Sequence, residues 1–251
     1  MNKACEGCKD DKGLPFKITT AFQPIFDLEI GRPHAYEALV RGRDGESASH
    51  ILSLVTEETR YAFDQACRVN AIRDAVKAGI LETDAKLSIN FLPNAVYSPL
   101  ACIRLTLQIA QETGLPSSRL IFEFTETEKL DPAHVREIVR AYRSLGFATA
   151  IDDFGAGHAG LNLLADLGTD AIKLDMQIIR NVDSCSRRQA MIRSMVALSR
   201  DLDSLLVAEG VETGEELRTL QDLGIRYVQG YFLACPEIGI LPHVGRKLAK
   251  P

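Results

Sequence analysis

Short apolar segments alternate with longer segments of helical periodicity along most of the chain. In the longer segments apolar residues recur every three or four positions, which predicts helices at 57–79, 132–145, 186–202 and 214–223. The short segments are rich in Val, Ile, Leu and Phe and predict strands at 18–26, 35–40, 86–91, 119–125, 147–152, 170–174, 205–209 and 226–229. From residue 86 onward strand and helix alternate regularly, which is typical of a parallel sheet, either open or closed.

The helix starts and the apolar stripes add detail to this pattern. Asp131 is placed to cap the second helix, and Pro132 suits its first turn. Thr213 and Glu216 have the spacing of a capping box at the start of the fourth helix. The first helix carries Tyr61, Ala62, Cys67, Val69, Ile72 and Val76 along one side. The third carries Ala190, Met191, Met195, Val196 and Leu198, with Met191 and Met195 predicted as core or interface residues.

Length and composition are those of a folded globular protein. The 251 residues are 46% hydrophobic and 25% charged, and a single barrel fits this length. The polar segments 1–16 and 241–251 are predicted to be tails flanking one domain at 17–240.

Charge and hydropathy exclude several partners and locations. The net charge of −5 argues against a nucleic-acid polymer as partner. No apolar run approaches the roughly 20 residues that span a bilayer, and the first residues lack the apolar core of a signal peptide. We therefore expect a cytoplasmic protein without a membrane partner.

Polar side chains recur at or near the ends of the predicted strands. An acid or amide in an otherwise apolar strand is costly to bury unless it is paired or binds a metal. In a parallel barrel the carboxyl ends of the strands lie on one face, so side chains that are distant in sequence converge there. The residues concerned are Glu37, Asn90, Glu123, Glu126, Asp152, Asp153, Lys173, Asp175, Glu209, Glu212 and Gln229.

This set favours a site for hard divalent cations. It offers oxygen ligands and contains no cysteine or histidine, which suits Mg²⁺ or Mn²⁺ better than zinc. Clustered carboxylates repel one another unless cations neutralise them, and the adjacent Asp152 and Asp153 are placed to serve two ions. Two such ions about 4 Å apart are the usual arrangement for in-line displacement at phosphorus.

Two cationic residues are candidates for catalysis and substrate binding. Neighbouring metal cations would lower the pKa of the Lys173 ammonium group, which makes Lys173 a candidate general base for the attacking water. The alternative is a structural ion pair to Asp152 or Asp175. Arg41 follows the Glu37 strand and is a candidate phosphate ligand, with an exposed surface arginine as the alternative.

Taken in order, these residues resemble the pattern of EAL-domain cyclic di-GMP phosphodiesterases, in the form of a stand-alone domain, over roughly residues 17–240. Any one of the matching strings is short, but their joint order and spacing are specific. They are QPI at 23–25, EALVR at 37–41, SINF at 88–91, EFTE at 123–126, DDFGAG at 152–157, IKLD at 172–175, AEGVE at 208–212 and QGYFLACP at 229–236.

The resemblance implies a modified TIM (β/α)₈ barrel whose first strand is antiparallel to the others. It also implies hydrolysis of cyclic di-GMP to linear pGpG with two Mg²⁺ or Mn²⁺ ions, a homodimer, and bacterial second-messenger signalling that controls biofilm or motility. Position by position, it assigns metal binding to Glu37, Asn90, Glu123, Asp152 and Asp153, catalysis to Lys173 and Glu209, substrate binding to Gln23, Arg41, Glu212 and Gln229, and loop stabilisation to Glu126.

The loop after the DDFG string departs from the common family pattern. The usual string is DDFGTGYSSL, whereas this chain has DDFGAGHAGL, with Ala156, His158, Ala159 and Gly160 at the differing positions. The acids and the glycines remain, so cation binding is still expected. The differences leave open a second function, in which the protein binds cyclic di-GMP or a protein partner with little or no turnover.

A third class of function follows from barrel chemistry alone. Enolase-like proton abstraction also uses strand-end carboxylates, Mg²⁺ and a lysine. Such enzymes generally add a capping domain, for which this chain is too short.

Cys5 and Cys8 form a C-x-x-C motif in the amino-terminal tail. A structural zinc needs two further ligands, and no second pair follows. A tail with two free thiols and a metal shared between two tails of a dimer are both open.

Overall fold

The eight predicted strands form a closed barrel in the computed structural model, which describes residues 14–125, 131–157 and 160–243. The strands are β1 (Ile18–Asp27), β2 (Arg32–Gly42), β3 (Lys86–Asn90), β4 (Leu120–Thr125), β5 (Ala148–Phe154), β6 (Ala171–Leu174), β7 (Leu205–Ala208), β8 (Tyr227–Val228) and a short β9 (Glu237–Ile238). Strands β2 to β8 run parallel in chain order. Because β1 pairs antiparallel with both β2 and β8, it closes the barrel, which confirms the predicted fold class.

Helices pack around the barrel. Among the described residues they are α1 (Ala48–Ser53), α2 (Arg60–Lys77), α3 (Pro99–Cys102), α4 (Arg104–Thr113), α5 (Pro132–Ser144), α6 (Gly160–Leu167), α7 (Met176–Ile179), α8 (Ser186–Asp201) and α9 (Gly214–Asp222). The four predicted helices correspond to α2, α5, α8 and α9. Most of the others span only four to eight residues, too few for a helical period to be recognised in the sequence.

Both predicted helix caps are confirmed. The Asp131 side chain accepts a hydrogen bond from the Ala133 amide at 3.0 Å at the start of α5. Thr213 and Glu216 exchange hydrogen bonds in a capping box at the start of α9. The second Glu216 oxygen accepts from the Asn181 amide, so this cap also ties α9 to the segment after α7.

The buried faces of α2 and α8 coincide only in part with the predicted apolar stripes. Of the stripe predicted for α2, only Ile72 is fully buried, and the face towards the barrel contains the charged residues Asp64 and Arg68. In α8, Met191 is 52% exposed, while Ile192 is buried beside Val196. Because a buried ion pair makes the inner face of α2 polar, the hydropathy pattern of the sequence does not indicate which face of the helix packs on the barrel.

The barrel interior is filled by an apolar layer with a polar layer above it. In a strand, residues two apart point to the same side. Each member of the apolar layer is therefore followed two positions later by a polar residue, as in Ala35 and Glu37, except in antiparallel β1, where the order reverses. The apolar layer consists of Ile25, Ala35, Ile121, Ala150, Ala171, Val207 and Tyr227, and two positions away lie Gln23, Glu37, Glu123, Asp152, Lys173, Glu209 and Gln229.

The chain that follows β8 also packs against the barrel. β9 pairs with β1 through Ala21–Ile238 and Phe22–Glu237. Beyond it, the Tyr36 hydroxyl donates to the Pro242 carbonyl at 3.3 Å. The predicted domain limits at 17 and 240 stay predictions. Among the described helices, none combines the length and the apolar character needed to cross a membrane.

An ion pair closes the end of the barrel opposite the polar layer. The carboxylate of Asp27, at the end of β1, is buried and accepts hydrogen bonds from Arg226 and from the backbone amides of Glu29 and Ile30. Burial alone would raise the pKa of Asp27, but these hydrogen bonds outweigh it and hold the pKa below its ordinary value of 3.8. The charged form of Asp27 is thus the form that stabilises the fold.

We expect Asp27→Asn to lower the free energy of unfolding at neutral pH by about 1–3 kcal/mol, because three donors lose a charged acceptor. A group whose pKa is lowered on folding stabilises the protein above its unfolded pKa and loses that contribution as the pH falls through the folded value. The deficit of the variant, measured by urea unfolding, should therefore shrink below pH 3.8. A deficit that stayed constant with pH would contradict the role given to the charge.

Candidate active site

Lys173 lies at the centre of a cluster of four carboxylates inside the barrel. Its Nζ atom is 2.8 Å from Glu209 Oε1, 2.9 Å from Asp152 Oδ1 and from Glu123 Oε2, and 3.4 Å from Glu37 Oε2. The lysine side chain is fully buried, and none of the four acidic side chains is more than 15% exposed. Four different segments of the barrel thus converge on one ammonium group.

The cluster lies deeper in the barrel than the predicted strand ends. Glu37 is in the middle of β2, and β4 continues past Glu123 to Thr125. The polar layer begins one pleat above the apolar layer, so several strands extend beyond it. The strand register places these polar side chains at the same height in the barrel, because Gln23 is paired with Glu37 and Asn90 with Glu123.

The carboxylates determine the protonation of Lys173. Burial alone would lower its pKa, but the charges of Asp152, Glu123, Glu209 and Glu37 raise the pKa well above its ordinary value. The sequence predicts the opposite direction because it places metal cations beside the lysine. In the protein alone Lys173 is an ammonium ion, and a lowered pKa requires these acids to be neutralised.

The acids in turn hold protons more tightly than free carboxylates. Burial raises the pKa of Glu123 to about 8, against the attraction of Lys173. Burial likewise raises the pKa of Glu209 well above its ordinary value. Burial and then the charge of Asp152 raise the pKa of Asp153 to about 6. These acids are therefore more costly to ionise in the protein than in water, and a bound cation would lower that cost.

Amide side chains orient Glu37. Asn90 Nδ2 donates to Glu37 Oε1 at 2.9 Å, which leaves the Asn90 carbonyl oxygen as the atom available to a cation. Gln229 Nε2 donates to Glu37 Oε2 at 2.6 Å and to Gln23 Oε1 at 3.0 Å. Two of the predicted site residues thus hold Glu37 directly, and a third, Gln23, accepts from one of them.

Ser88 is a site residue that the sequence analysis missed. Its hydroxyl is fully buried and donates a short hydrogen bond to Glu123 Oε1. It lies beside Glu37 in the register of β2 and β3. Its position two residues before Asn90 places it on the same face of β3, and this spacing was the signal that could have found it.

The residues present fit divalent cations. Two groups of three acids each bring one oxygen per residue within 4.8 Å of the others: Glu37, Glu123 and Asp152 form one group, and Asp152, Asp153 and Glu209 form the second. Gln229 Oε1 is buried and has no hydrogen-bond partner in the described part of the chain. An oxygen-only, net negative donor set of this kind suits hard cations, and Asp152 belongs to both groups.

Among the described residues, two cavities open on the acidic cluster, and Glu37 and Asp153 line both. The larger, about 490 Å³, has a mostly apolar wall that includes Leu39, Leu52 and Phe63. The smaller, about 260 Å³, is lined by Gln23, Glu37, Asp153, Asp175, Met176, Glu209, Gly210, Glu212, Gln229, Gly230 and Tyr231. A ligand with two lobes and a polar centre matches this arrangement.

Arg41 and Glu212 have partners outside the cluster. The Arg41 guanidinium donates to the backbone carbonyl of Val40 at 2.7 Å. Glu212 lines the smaller cavity, but its carboxylate pairs with Arg180 through contacts of 2.5 and 2.7 Å. The structure therefore does not bring these two side chains to Lys173.

Other candidates lie around the cluster or outside the described residues. Asp153 lines both cavities and has φ +53°, a left-handed conformation that is uncommon for a residue with a side chain. Tyr231, 63% exposed at the smaller cavity, belongs to the QGYFLACP string at 229–236, but no role was predicted for it from the sequence. The predictions for Glu126, His158, Cys5 and Cys8 concern residues outside the described ranges.

Comparison with known proteins gives a consistent family. The sequence model of the EAL domain matches residues 16–236. The chain is 30% identical over 227 residues to the blue light- and temperature-regulated antirepressor BluF of Escherichia coli, and 29% identical over 230 residues to that organism's probable cyclic di-GMP phosphodiesterase PdeN. These matches cover 89% and 86% of this chain but 55% and 43% of the relatives, so the chain spans about half the length of these curated relatives.

Solved structures agree with the sequence matches. The c-di-GMP-bound form of a standalone versatile EAL protein from Vibrio cholerae O395 is 47% identical, with a TM-score of 0.91, over 95% of this chain and 100% of that one. A manganese and cyclic di-GMP complex of BlrP1 from Klebsiella pneumoniae is 33% identical, with a TM-score of 0.83, over 91% of this chain and 58% of that one.

We expect Lys173→Met to lower the metal-free stability by about 3 kcal/mol or more, because four buried acids lose the cation that they share. The deficit should grow as the pH rises past 8, since at lower pH the acids with raised pKa values take up protons and repel one another less. Urea unfolding in the presence of a chelator measures it, with Lys77→Met at an exposed site of α2 as the control. Equal stability of Lys173→Met and the wild type would contradict the charge balance described above.

Proposed function

Because the chain belongs to the EAL domain family, we propose that it hydrolyses cyclic di-GMP to linear pGpG. The observation that carries the proposal is the oxygen-rich cluster around Lys173 between two cavities. Hydrolysis adds one water across one phosphodiester bond, so it requires a site that accepts a phosphate and handles the proton of that water. The cluster supplies oxygen ligands for cations and an amine within 3.4 Å of four acids.

The cofactors are two Mg²⁺ or Mn²⁺ ions. Glu37, Asn90, Glu123, Asp152 and Asp153 would hold them, with Glu209 beside Asp152 and Asp153 in the second group of acids. When bound, such ions polarise the phosphodiester and lower the pKa of water. The manganese complex of the Klebsiella relative supports this choice of cation.

Lys173 is the proposed acceptor of the proton from the attacking water. As an ammonium ion it has no lone pair, so this role requires its pKa to fall from the raised value that the four acids impose. Neutralising Asp152 and Glu123 removes the two largest of those raising charges. The acids thus keep Lys173 protonated until the site is loaded, and Glu209, 2.8 Å away, keeps its amine in place.

The two cavities are the proposed binding sites for the two halves of the substrate. The apolar wall of the larger cavity suits a purine base. Gln23 and Gln229, which are hydrogen-bonded to each other, lie at the polar floor of the smaller cavity, and Tyr231 at its edge offers an aromatic face. For Arg41 to contact a phosphate, it must exchange its hydrogen bond to Val40 for the ligand.

A second candidate is a module that binds cyclic di-GMP or a protein partner without turnover. The similarity to the antirepressor BluF supports it, as do Ala156 and the other differences in the DDFGAGHAGL loop. The presence of all the cluster acids favours the enzyme instead. Homodimerisation, a loop role for Glu126, a cytoplasmic location and control of biofilm or motility stay predictions from the sequence.

We expect the purified protein to convert cyclic di-GMP to pGpG in the presence of Mn²⁺, as followed by chromatography. Lys173→Met should lower kcat by about 100-fold or more with a smaller effect on ligand binding, because it removes the proton acceptor. Lys77→Met, at an exposed position, is the matched control. Binding of cyclic di-GMP with no product would favour the second candidate, and normal turnover by Lys173→Met would remove the lysine from the base role.

Mn²⁺ should raise the Tm of the wild-type protein, because a ligand that binds only the folded state stabilises it. Asp152→Asn should lose most of that increase, since Asp152 belongs to both groups of acids. The control is Asp222→Asn, at an exposed position in α9. An unchanged thermal shift in Asp152→Asn would place the cations elsewhere.

A further inference from the structure

A second buried ion pair lies on α2, outside the barrel strands, and its Asp64 lines the larger of the two cavities. Asp64 and Arg68, one turn apart on α2, are 1% and 0% exposed, and Asp64 Oδ2 is 2.8 Å from Arg68 Nη2. Burying both charges is costly, and a packed apolar pair would often give equal or greater stability. The contacts of the two side chains therefore point to a role other than stability.

Asp64 holds the backbone that follows Asn90. Its Oδ1 accepts a hydrogen bond from the Leu92 amide at 2.9 Å. The preceding amide, that of Phe91, donates to the Glu123 carbonyl at 2.9 Å. Two consecutive amides after Asn90 are thus fixed, one to α2 and one to the strand that carries Glu123.

Arg68 holds the neighbours of the two candidate ligands from the outside. Its guanidinium carbon lies 5.4 Å from the ring centroid of Phe91 and 5.3 Å from that of Phe122, and its Nη1 donates to the Tyr142 hydroxyl on α5 at 2.8 Å. Phe91 follows Asn90 in sequence, and Phe122 precedes Glu123. Because adjacent residues of a strand point to opposite sides, a ring clamped outside β4 orients the carboxylate inside it.

We propose that Asp64 and Arg68 are positioning residues that set the affinity of the site for divalent cations through Asn90 and Glu123. The inference rests on the proposed function, because it takes these two residues as cation ligands. Mutation of a residue that orients a metal ligand without touching the metal commonly changes the metal affinity by 10- to 100-fold. Neither Asp64 nor Arg68 contacts the cluster around Lys173 through any of the hydrogen bonds and ion pairs described above.

Asp64→Asn tests this proposal, and Asp27→Asn is its matched control. Both substitutions neutralise a buried carboxylate that pairs with an arginine and accepts from the backbone, from one amide for Asp64 and two for Asp27, but Asp27 lies at the opposite end of the barrel. Mn²⁺ binding in the absence of substrate, measured by electron paramagnetic resonance of the free ion, should weaken roughly tenfold in Asp64→Asn and stay unchanged in Asp27→Asn. Excess Mn²⁺ should also restore most of the kcat of Asp64→Asn.

Equal Mn²⁺ affinity in Asp64→Asn and the wild type would overturn the inference. An equal loss of Mn²⁺ affinity in Asp64→Asn and Asp27→Asn would also overturn it, because it would indicate a general effect of lost stability. If Asp64→Asn does not fold, Tyr142→Phe decides, because it removes only the hydroxyl that accepts from Arg68. A smaller weakening of Mn²⁺ binding supports the inference, and no change overturns it. Absence of Mn²⁺ binding by the wild type would overturn the proposed function together with the inference. If the wild type binds Mn²⁺ and Asp64→Asn binds it equally well, the inference alone is overturned.

Discussion

The contact between one buried ammonium group and four carboxylates is the interaction on which the site depends. Lys173 lies within 3.4 Å of acids from β2, β4, β5 and the residue after β7. Without the lysine, the acids would repel one another in an environment that screens charge poorly. With it, the pKa values of Glu123 and Glu209 are still raised, so these acids are costly to ionise and further cations at the cluster would be favourable.

The barrel provides this cluster through a simple alternation. One layer of apolar side chains fills the interior, and two positions further along each strand a polar side chain stands above it. The lower layer excludes water from one side of the acids, which raises the pKa of Glu123 and of Glu209. The apolar layer and the layer of acidic side chains therefore belong to one packing pattern.

Much of this was visible in the sequence, because strand alternation and polar exceptions are local signals. The strands and the helix caps agree with the structure. The antiparallel first strand, which the family resemblance implied and the local pattern did not, also agrees. The contacts of individual side chains were not visible. The pairing of Glu212 with Arg180 depends on the distance between two segments, which no periodicity encodes. The hydrogen bond from Arg41 to the neighbouring Val40 carbonyl depends on a side-chain conformation that the sequence pattern does not specify.

The sequence pattern did not identify the inner face of α2, for a related reason. A helix face that contains Asp64 and Arg68 has the hydropathy of a solvent-exposed face. Only the structure shows that both charges are buried and that Arg68 lies against the rings of Phe91 and Phe122. Exceptions of this kind concentrate where function constrains packing. The same reasoning applies to Ser88, whose hydroxyl serves Glu123 although serine alone indicates nothing.

Anomalous diffraction from crystals soaked in Mn²⁺ and a slowly cleaved cyclic di-GMP analogue tests the central claim most directly. The expected result is manganese bound by oxygens of Glu37, Asn90, Glu123, Asp152 and Asp153, at about 2.0–2.2 Å, with a phosphate of the ligand between the two cavities. Manganese bound away from these residues, or an ordered ligand with no metal at the cluster, would contradict it.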